Sequence, residues 1–142
     1  MEVVVKLPKP YQKQNEILDD NSRFKVICAG RRVGKSTLCK IQCALSLLKG
    51  LRVSYITPEF GLAEKFYEEI ILLFPEEVIK QKNKSRLSFT LITGGEIKFF
   101  SGEALHRVRG WESDLLIADE AAYIPDLEKE WNLSLRPLLM KT

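Results

Sequence analysis

The sequence has a single histidine, His106, and three cysteines that form no Cys-x-x-Cys pair. His106 has no histidine, cysteine or paired carboxylate at the spacing of metal ligands, which argues against a histidine metal site. Cys28, Cys39 and Cys43 are predicted to be small buried apolar residues rather than a disulfide framework or metal ligands.

Long apolar runs and a large net charge are also absent. The runs DLLIA and EEIILLF fall well short of the ~18 to 20 apolar residues that a membrane-spanning helix needs. The N-terminus shows no basic segment followed by an apolar core, so we expect an intracellular protein without a secretory signal. A formal net charge of +3 does not by itself indicate nucleic-acid binding.

What is present is the composition of one globular domain, since the 142 residues are 45% hydrophobic and 29% charged. Predicted strands are EVVVKL, FKVICA, RVSYIT and SDLLIAD, and RLSFTLI and EIKFF flank the turn TGG as a hairpin. Predicted helices are PYQKQNEILDD, KSTLCKIQCALSLLKG, GLAEKFYEEIILLF and DLEKEWNLSLRPLLMKT, the last interrupted by Pro137. This alternation predicts an α/β fold with a parallel sheet, helices on both faces and a β-hairpin.

A phosphate-binding loop is predicted between the strand FKVICA and the next helix. A small residue, four spacers and Gly-Lys-Ser form its pattern, with Ala29 standing where glycine is usual. Backbone N–H groups at a helix N-terminus stabilise phosphate charge. Lys35 would reach the β- and γ-phosphates, and the Ser36 hydroxyl would ligate Mg²⁺. The candidate nucleotide contacts of residues 29–37 are Ala29, Gly30, Arg31, Arg32, Val33, Gly34, Lys35, Ser36 and Thr37.

Two carboxylates follow the predicted buried strand in residues 114–120. Adjacent residues at a strand end point to opposite sides, so one carboxylate can serve a metal while the other reaches a water molecule. Asp119 is the candidate for holding Mg²⁺, and Glu120 for polarising the attacking water. Alone, such a pair is equally typical of a surface strand end; together with the phosphate loop it favours an ATPase.

Four segments together resemble the N-terminal ATPase region of the large terminase subunits of tailed bacteriophages, from about Lys9 to Pro125. They are CAGRRVGKST, YITPEF, RVRGWESDLLIADEAAYIPD and PYQKQNEIL. The resemblance implies a P-loop NTPase of the ASCE or RecA-like type that uses ATP and Mg²⁺ to package DNA into capsids. It also implies double-stranded DNA, a small terminase subunit and a portal as partners, a homo-oligomeric ring, no membrane, and a place in the host cytoplasm at the procapsid portal.

Individual roles also follow from the resemblance. Gln14 matches a glutamine that reads adenine, with Gln12 a weaker candidate. Arg31 matches an arginine that contacts the γ-phosphate region or relays nucleotide state, and Arg109 matches a candidate arginine finger. A guanidinium suits both roles because it is permanently charged and can bind phosphate oxygens in pairs. Alternatively, Arg31 only steers the nucleotide electrostatically and Arg109 only pins its loop.

Other features leave alternatives open. Tyr55 and Pro58 form either a segment that couples nucleotide to DNA or a plain strand end. The basic side chains of KQKNKSR, residues 80–86, either touch duplex phosphates or form a solvated surface, and we favour the second. Trp111 and Trp131 are predicted to be core or interface residues rather than stacking platforms.

Complete large terminases continue well beyond the acidic strand, with a coupling motif, further strands and a nuclease domain. Their sheet places a later strand between the phosphate-loop strand and the acidic strand. Residues 1–142 are therefore expected to be a single partial ATPase domain whose two key strands flank an unfilled slot. The alternatives are a helicase-like nucleic-acid translocase and a non-catalytic nucleotide-binding or assembly module.

Overall fold

The computed structural model describes residues 3–28 and 34–140, which contain five strands and four α-helices. The strands are β1 (Arg52–Thr57), β2 (Ile79–Asn83), β3 (Ser88–Leu91), β4 (Glu96–Ser101) and β5 (Leu115–Ala118). The helices are α1 (Gln12–Asp19), α2 (Lys35–Leu48), α3 (Phe60–Ile71) and α4 (Leu127–Glu130). After α4 the chain continues as a π-helical turn, Trp131–Leu135, and a 3₁₀ turn, Arg136–Leu139.

The strands form one sheet in the order β2-β3-β4-β1-β5. Strand β1 lies between β4 and β5 and is parallel to both, and its Tyr55 lies opposite Phe99 of β4 and Ile117 of β5. Strand β3 is antiparallel to both β2 and β4, so the predicted hairpin is joined to the parallel part of the sheet through β4. The predicted α/β class with a parallel sheet and a hairpin is confirmed.

Successive residues of β1 face opposite layers, as the two-residue period of a strand requires. Val53 and Tyr55 point into a core cluster shared with α2 and α3, whereas Ile56 points into a second cluster. That second cluster is covered by the 3₁₀ segment Gly102–Val108 and by the C-terminal helical turns. Helices therefore cover both faces, and no helix in the described residues is long and apolar enough to cross a membrane.

The C-terminal end of α2 is docked on the hairpin turn. The Thr93 hydroxyl donates to the carbonyl of Leu47 at 2.6 Å, which satisfies one of the helix-end carbonyls that lack an intrahelical partner. Gly95 packs directly on this carbonyl, and a Cβ at that position would overlap it. This contact fixes the far end of the helix whose first residue is Lys35.

Two predicted strands are wrong. Residues 3–7, the described part of EVVVKL, lie outside the sheet, although Val3, Val5 and Leu7 pack against the first core cluster. Phe24–Cys28 of FKVICA are also outside the sheet and exposed, with Val26 97% exposed. In both cases the apolar pattern is that of a strand, but no neighbouring backbone is placed to complete its hydrogen bonds.

Strand β5 lies at one edge of the sheet. Among the described residues it pairs with β1 alone, so its other edge has no strand beside it. An apolar groove of about 360 Å³ lies against it, lined by Leu116, Ala118, Leu127 and Trp131 among others. Because residues 24–28 form no strand, the expected slot between two strands is not formed among the described residues. Phe24 instead contacts Trp131 of the groove edge-on, at 5.8 Å between ring centroids.

The predictions for the cysteines and for the C-terminal helix hold only in part. Cys43 is buried and Cys39 is partly buried, but Cys28 is exposed because the strand predicted to carry it does not enter the sheet. The C-terminal helix does not stop at Pro137; it tightens into the 3₁₀ turn, because proline has no N–H to continue an α-helix.

The basic segment and the tryptophans follow the favoured predictions. Lys82 and Lys84 pair with Glu76 at 3.3 Å and Glu68 at 3.5 Å, as a solvated mixed-charge surface would. Trp111 is half-buried, and the Arg52 guanidinium lies 4.3 Å from its ring centroid. It therefore packs within the domain.

Gly95 allows a test of the contact between the hairpin turn and the end of α2. Gly95→Ala should lower the free energy of unfolding by about 2 kcal/mol, because the added methyl must displace the end of α2. Gly61→Ala is the matched control, since Gly61 lies in α3 with no atom within 4 Å of an added Cβ. It should raise stability by about 0.5 kcal/mol through lower unfolded-state entropy. Urea unfolding followed by circular dichroism measures both, and equal midpoints would contradict the predicted docking.

Candidate active site

The first residue of α2 is Lys35, and the residue before it, Gly34, has φ +80°. This left-handed conformation favours glycine, which explains the Gly-Lys order at the start of the helix. The carbonyl of Gly34 accepts the N–H of Leu38 at 2.9 Å, so helical hydrogen bonding begins at once. Ser36 is exposed and Thr37 partly buried in the first turn, where backbone N–H groups are free of intrahelical partners.

The N-terminus of α2 meets the carboxyl end of β5. Lys35 Nζ lies 3.5 Å from Glu120 Oε1, and the two residues are 85 positions apart in the chain. Glu120 is exposed and adopts a left-handed backbone, with φ 51° and ψ 45°. A non-glycine residue in this region carries a local strain of about 1 kcal/mol or more, which is often found at functional sites.

Asp119 lies on the other side of the same strand end and is 5% exposed. Its Oδ1 accepts the backbone N–H of Glu120 at 2.9 Å, and its Oδ2 accepts the Tyr55 hydroxyl at 2.9 Å. The two carboxylates are thus separated as the strand geometry predicts, with Asp119 inside and Glu120 facing solvent. Asp119 has two donors for four lone-pair sites and retains acceptor capacity.

Tyr55 is a site residue whose contact with Asp119 sequence reasoning missed. The sequence predicts for Tyr55 either a role in coupling nucleotide to DNA or a plain strand end. Pairing between β1 and β5 cannot be predicted from one segment. The structure places it at 0% exposure, and burial raises the pKa of its hydroxyl well above the ordinary value. Tyr55 therefore stays a neutral donor. The missed signal was the parallel alignment of two buried strands, which brings Tyr55 within two positions of Asp119.

Gln14 is 4% exposed and joins α1 to the start of α2. Its Oε1 accepts the N–H of Tyr11 at 3.0 Å, and its Nε2 donates to the carbonyl of Gly34 at 2.9 Å. The structure therefore assigns Gln14 a bridging contact beside the helix N-terminus, whereas Gln12 is exposed. The second Nε2 hydrogen and one Oε1 lone pair remain for other partners, so an adenine contact stays a prediction.

Arg109 follows the 3₁₀ segment and is exposed. It lines a cleft of about 240 Å³ with Trp111, Leu133 and Pro137 among others. Within the described residues it makes no hydrogen bond or ion pair with Lys35 or Glu120. The structure does not join Arg109 to the cluster at the end of β5, and its role as a finger stays a prediction.

The rest of the predicted phosphate loop lies outside the described residues. This applies to Ala29, Gly30, Arg31, Arg32 and Val33.

The donor set fits a magnesium ion bound together with phosphates. Hard oxygen ligands suit Mg²⁺, which usually takes one or two protein ligands and fills its remaining positions with water and phosphate. The exposed Ser36 hydroxyl and the Asp119 carboxylate supply such oxygens. No group of three or more histidine, cysteine or acidic side chains that could hold a metal occurs in residues 3–28 and 34–140.

Comparison with known proteins decides the family. A profile of the family described as terminase large subunit, T4likevirus-type, N-terminal, matches residues 26–136. The chain belongs to this family. The match spans both the loop and the acidic strand, which agrees with the resemblance found in the sequence.

Individual relatives agree with this assignment. The large terminase subunit of Escherichia phage T5 is 28% identical over 130 residues, covering 89% of this chain and 30% of the relative. The large terminase ATPase domain of Thermus phage P74-26 superposes with a TM-score of 0.79 at 23% identity, over 92% of this chain and 60% of that domain. A mutant of the same domain gives 0.78 at 22%, with the same coverage. The chain thus spans about a third of the curated relative and shares the fold of the solved domain.

The partly buried Cys39 thiol lies beside the site. Burial, together with the nearby Asp119 carboxylate, raises the pKa of Cys39 from 9.0 to about 11. A group whose pKa is raised on folding adds stability below its unfolded pKa and loses it as the pH rises toward the folded value. Between about pH 8 and about pH 10.5, the parent chain should lose about 1 kcal/mol more stability than Cys39→Ala.

Urea unfolding at the two pH values measures this difference. Cys28→Ala is the control, because Cys28 is exposed and the variant should follow the parent. Identical pH dependence in the parent and Cys39→Ala would contradict the prediction.

Proposed function

We propose that this chain binds ATP with Mg²⁺ and hydrolyses it, as the N-terminal part of a terminase large subunit. The observation that carries the proposal is the 3.5 Å approach of Lys35 Nζ to Glu120 Oε1. It joins a Gly-Lys-Ser helix start to a strand that ends in two carboxylates, one buried and one exposed. These are the parts that phosphoryl transfer to water requires.

Each side chain takes a separate task. Lys35 neutralises charge on the β- and γ-phosphates, and the backbone N–H groups of the loop and of the first turn of α2 bind phosphate oxygens. Ser36 and Asp119 would hold Mg²⁺, which would supply positive charge to the phosphate oxygens. Asp119 suits this task because it is buried and fixed by two donors.

Glu120 is the proposed general base. Its exposed carboxylate orients a water molecule and accepts its proton as the water oxygen attacks the γ-phosphorus and the bond to ADP breaks. Lys35 Nζ lies 3.5 Å from this carboxylate, so the phosphate-binding and water-orienting groups lie together. Arg31 or Arg109 would stabilise charge on the transferred phosphoryl group, the latter from a neighbouring copy.

The wider role is DNA packaging. The name of the phage T5 relative, a large terminase subunit, supports a motor that moves double-stranded DNA into a procapsid. The proposal includes a small terminase subunit and a portal as partners, a homo-oligomeric ring, and action in the host cytoplasm at the portal. These assignments rest on the family, since no partner contact follows from the geometry of one chain.

The proposed role of Glu120 as general base can be tested by replacing its carboxylate with an amide. Glu120→Gln should lower ATP turnover at least ~100-fold, because the amide cannot accept the proton of water. Affinity for a fluorescent ATP analogue should change by less than about threefold, since the side chain does not bind phosphate. Glu112→Gln, at an exposed position before β5, should leave both unchanged. Phosphate release and fluorescence anisotropy are the measurements.

The outcomes separate the functions. Metal-dependent nucleotide binding without turnover in the parent chain would favour a non-catalytic nucleotide-binding module and contradict hydrolysis by this chain. Turnover that survives Glu120→Gln would assign the base elsewhere. Absence of nucleotide binding would contradict the proposal as a whole.

The predicted adenine contact of Gln14 can be tested by comparing ATP and GTP affinity. Gln14→Ala should reduce the ratio of ATP to GTP affinity about fivefold, the effect of about one lost hydrogen bond. Gln12→Ala, at an exposed position of the same helix, is the control. An equal fall in ATP and GTP affinity would show instead that Gln14 acts only by holding Gly34. Competition against the fluorescent analogue gives both affinities.

A further inference from the structure

Tyr55 occupies a place in the sheet that fixes its hydroxyl. Its side chain is 0% exposed, and its ring packs against Phe66 at 5.4 Å and Phe99 at 5.2 Å between centroids. A tyrosine ring held by aromatic neighbours has little rotational freedom, so the position of its hydroxyl follows from the backbone of β1. That hydroxyl donates to Asp119 Oδ2 at 2.9 Å.

The two donors to Asp119 lie at different oxygens. The Glu120 N–H holds Oδ1, and the Tyr55 O–H holds Oδ2. One donor alone would let the carboxylate turn about its Cβ–Cγ bond, whereas two donors fix its plane. The backbone donor is supplied by the chain whatever the side chains are, so the side-chain component of this orientation comes from Tyr55.

A neutral donor suits a metal-binding carboxylate. A lysine or arginine at this position would pair with Asp119 and compete with a cation for its charge. The Tyr55 hydroxyl orients the carboxylate and leaves that charge in place. Among the described residues, no ion pair involves Asp119.

We infer that Tyr55 is a positioning residue of the nucleotide site, and that its hydroxyl holds the Asp119 carboxylate in the orientation that binds a divalent cation. This inference rests on the proposed function, in which Asp119 holds Mg²⁺. Residues that hydrogen-bond to metal ligands typically contribute about 10- to 100-fold to metal affinity.

Tyr67 is a matched control. It lies in the same core cluster, is 3% exposed, and packs on Phe89 and Phe99. Its hydroxyl donates to the carbonyl of Ser88 at 3.4 Å rather than to a carboxylate. Tyr67→Phe therefore removes a buried hydroxyl without touching the site.

The test compares Tyr55→Phe, Tyr67→Phe and the parent chain. Free Mn²⁺, a spectroscopic substitute for Mg²⁺, is measured by electron paramagnetic resonance during titration in the presence of ADP. Tyr55→Phe should raise the Mn²⁺ concentration at half-saturation about 10-fold. ADP affinity measured with the metal chelated, and the half-saturation point of Tyr67→Phe, should both match the parent.

A double-mutant cycle adds a readout that general loosening would not produce. In an Asp119→Asn background, Tyr55→Phe should have no further effect on Mn²⁺ binding, because Tyr55 acts through that carboxylate. An unchanged half-saturation point in Tyr55→Phe alone overturns the inference. Equal weakening by both tyrosine variants, or an undiminished effect in the Asp119→Asn background, also overturns it.

The outcomes distinguish the inference from the proposed function. Failure of the parent chain to bind ADP and Mn²⁺ overturns the proposed function and this inference with it. If Tyr55→Phe does not fold, the hydroxyl proton of Tyr55 in the parent is followed by NMR during titration with Mg²⁺ and ADP. A resonance that moves on saturation supports the inference, and an unmoved one overturns it.

Discussion

Parallel pairing of β1 with β5 is the constraint on which the rest of the site depends. Parallel strands end on the same side of a sheet, so the residues that follow them share one edge. The register Tyr55 to Ile117 brings Asp119 to the hydroxyl of a residue more than sixty positions earlier. Helix α2 packs on the face of the sheet that carries the Tyr55 side chain. Its first residue, Lys35, thereby reaches Glu120.

The electrostatics at this edge follow from burial. The carboxylate inside the protein, Asp119, is held by neutral donors, and the exposed one, Glu120, has a lysine beside it. A buried carboxylate needs hydrogen bonds to offset its lost hydration, and Tyr55 and the chain itself provide them. The two adjacent carboxylates thus have different surroundings, which is the basis for the separate roles proposed for them.

Much of this arrangement was predictable from short-range pattern. RVSYIT corresponds residue for residue to β1, and the helix in KSTLCKIQCALSLL and the hairpin around TGG were predicted from periodicity and turn chemistry. The separation of Asp119 and Glu120 followed from the period of a strand. These features depend on residues within a few positions of one another, and local rules therefore suffice.

The errors share the opposite property. FKVICA has the composition of a buried strand, but strand formation depends on a neighbour that composition does not reveal. The contact of Tyr55 with Asp119 and the bridge from Gln14 to Gly34 also join distant segments, and each depends on register. Strand β2 is not predicted by the sequence, which indicates only a basic segment there, because its pairing with β3 adds a strand to the predicted hairpin.

The groove beside β5 has a consequence for handling the protein. Among the described residues, strand β5 leaves one edge without a strand partner next to Leu116 and Trp131, and such an edge is a template for an extended chain. The exposed apolar residues Phe24, Val26 and Ile27 form a second segment that favours association. These two stretches favour self-association of the isolated chain, and covering them should raise its solubility.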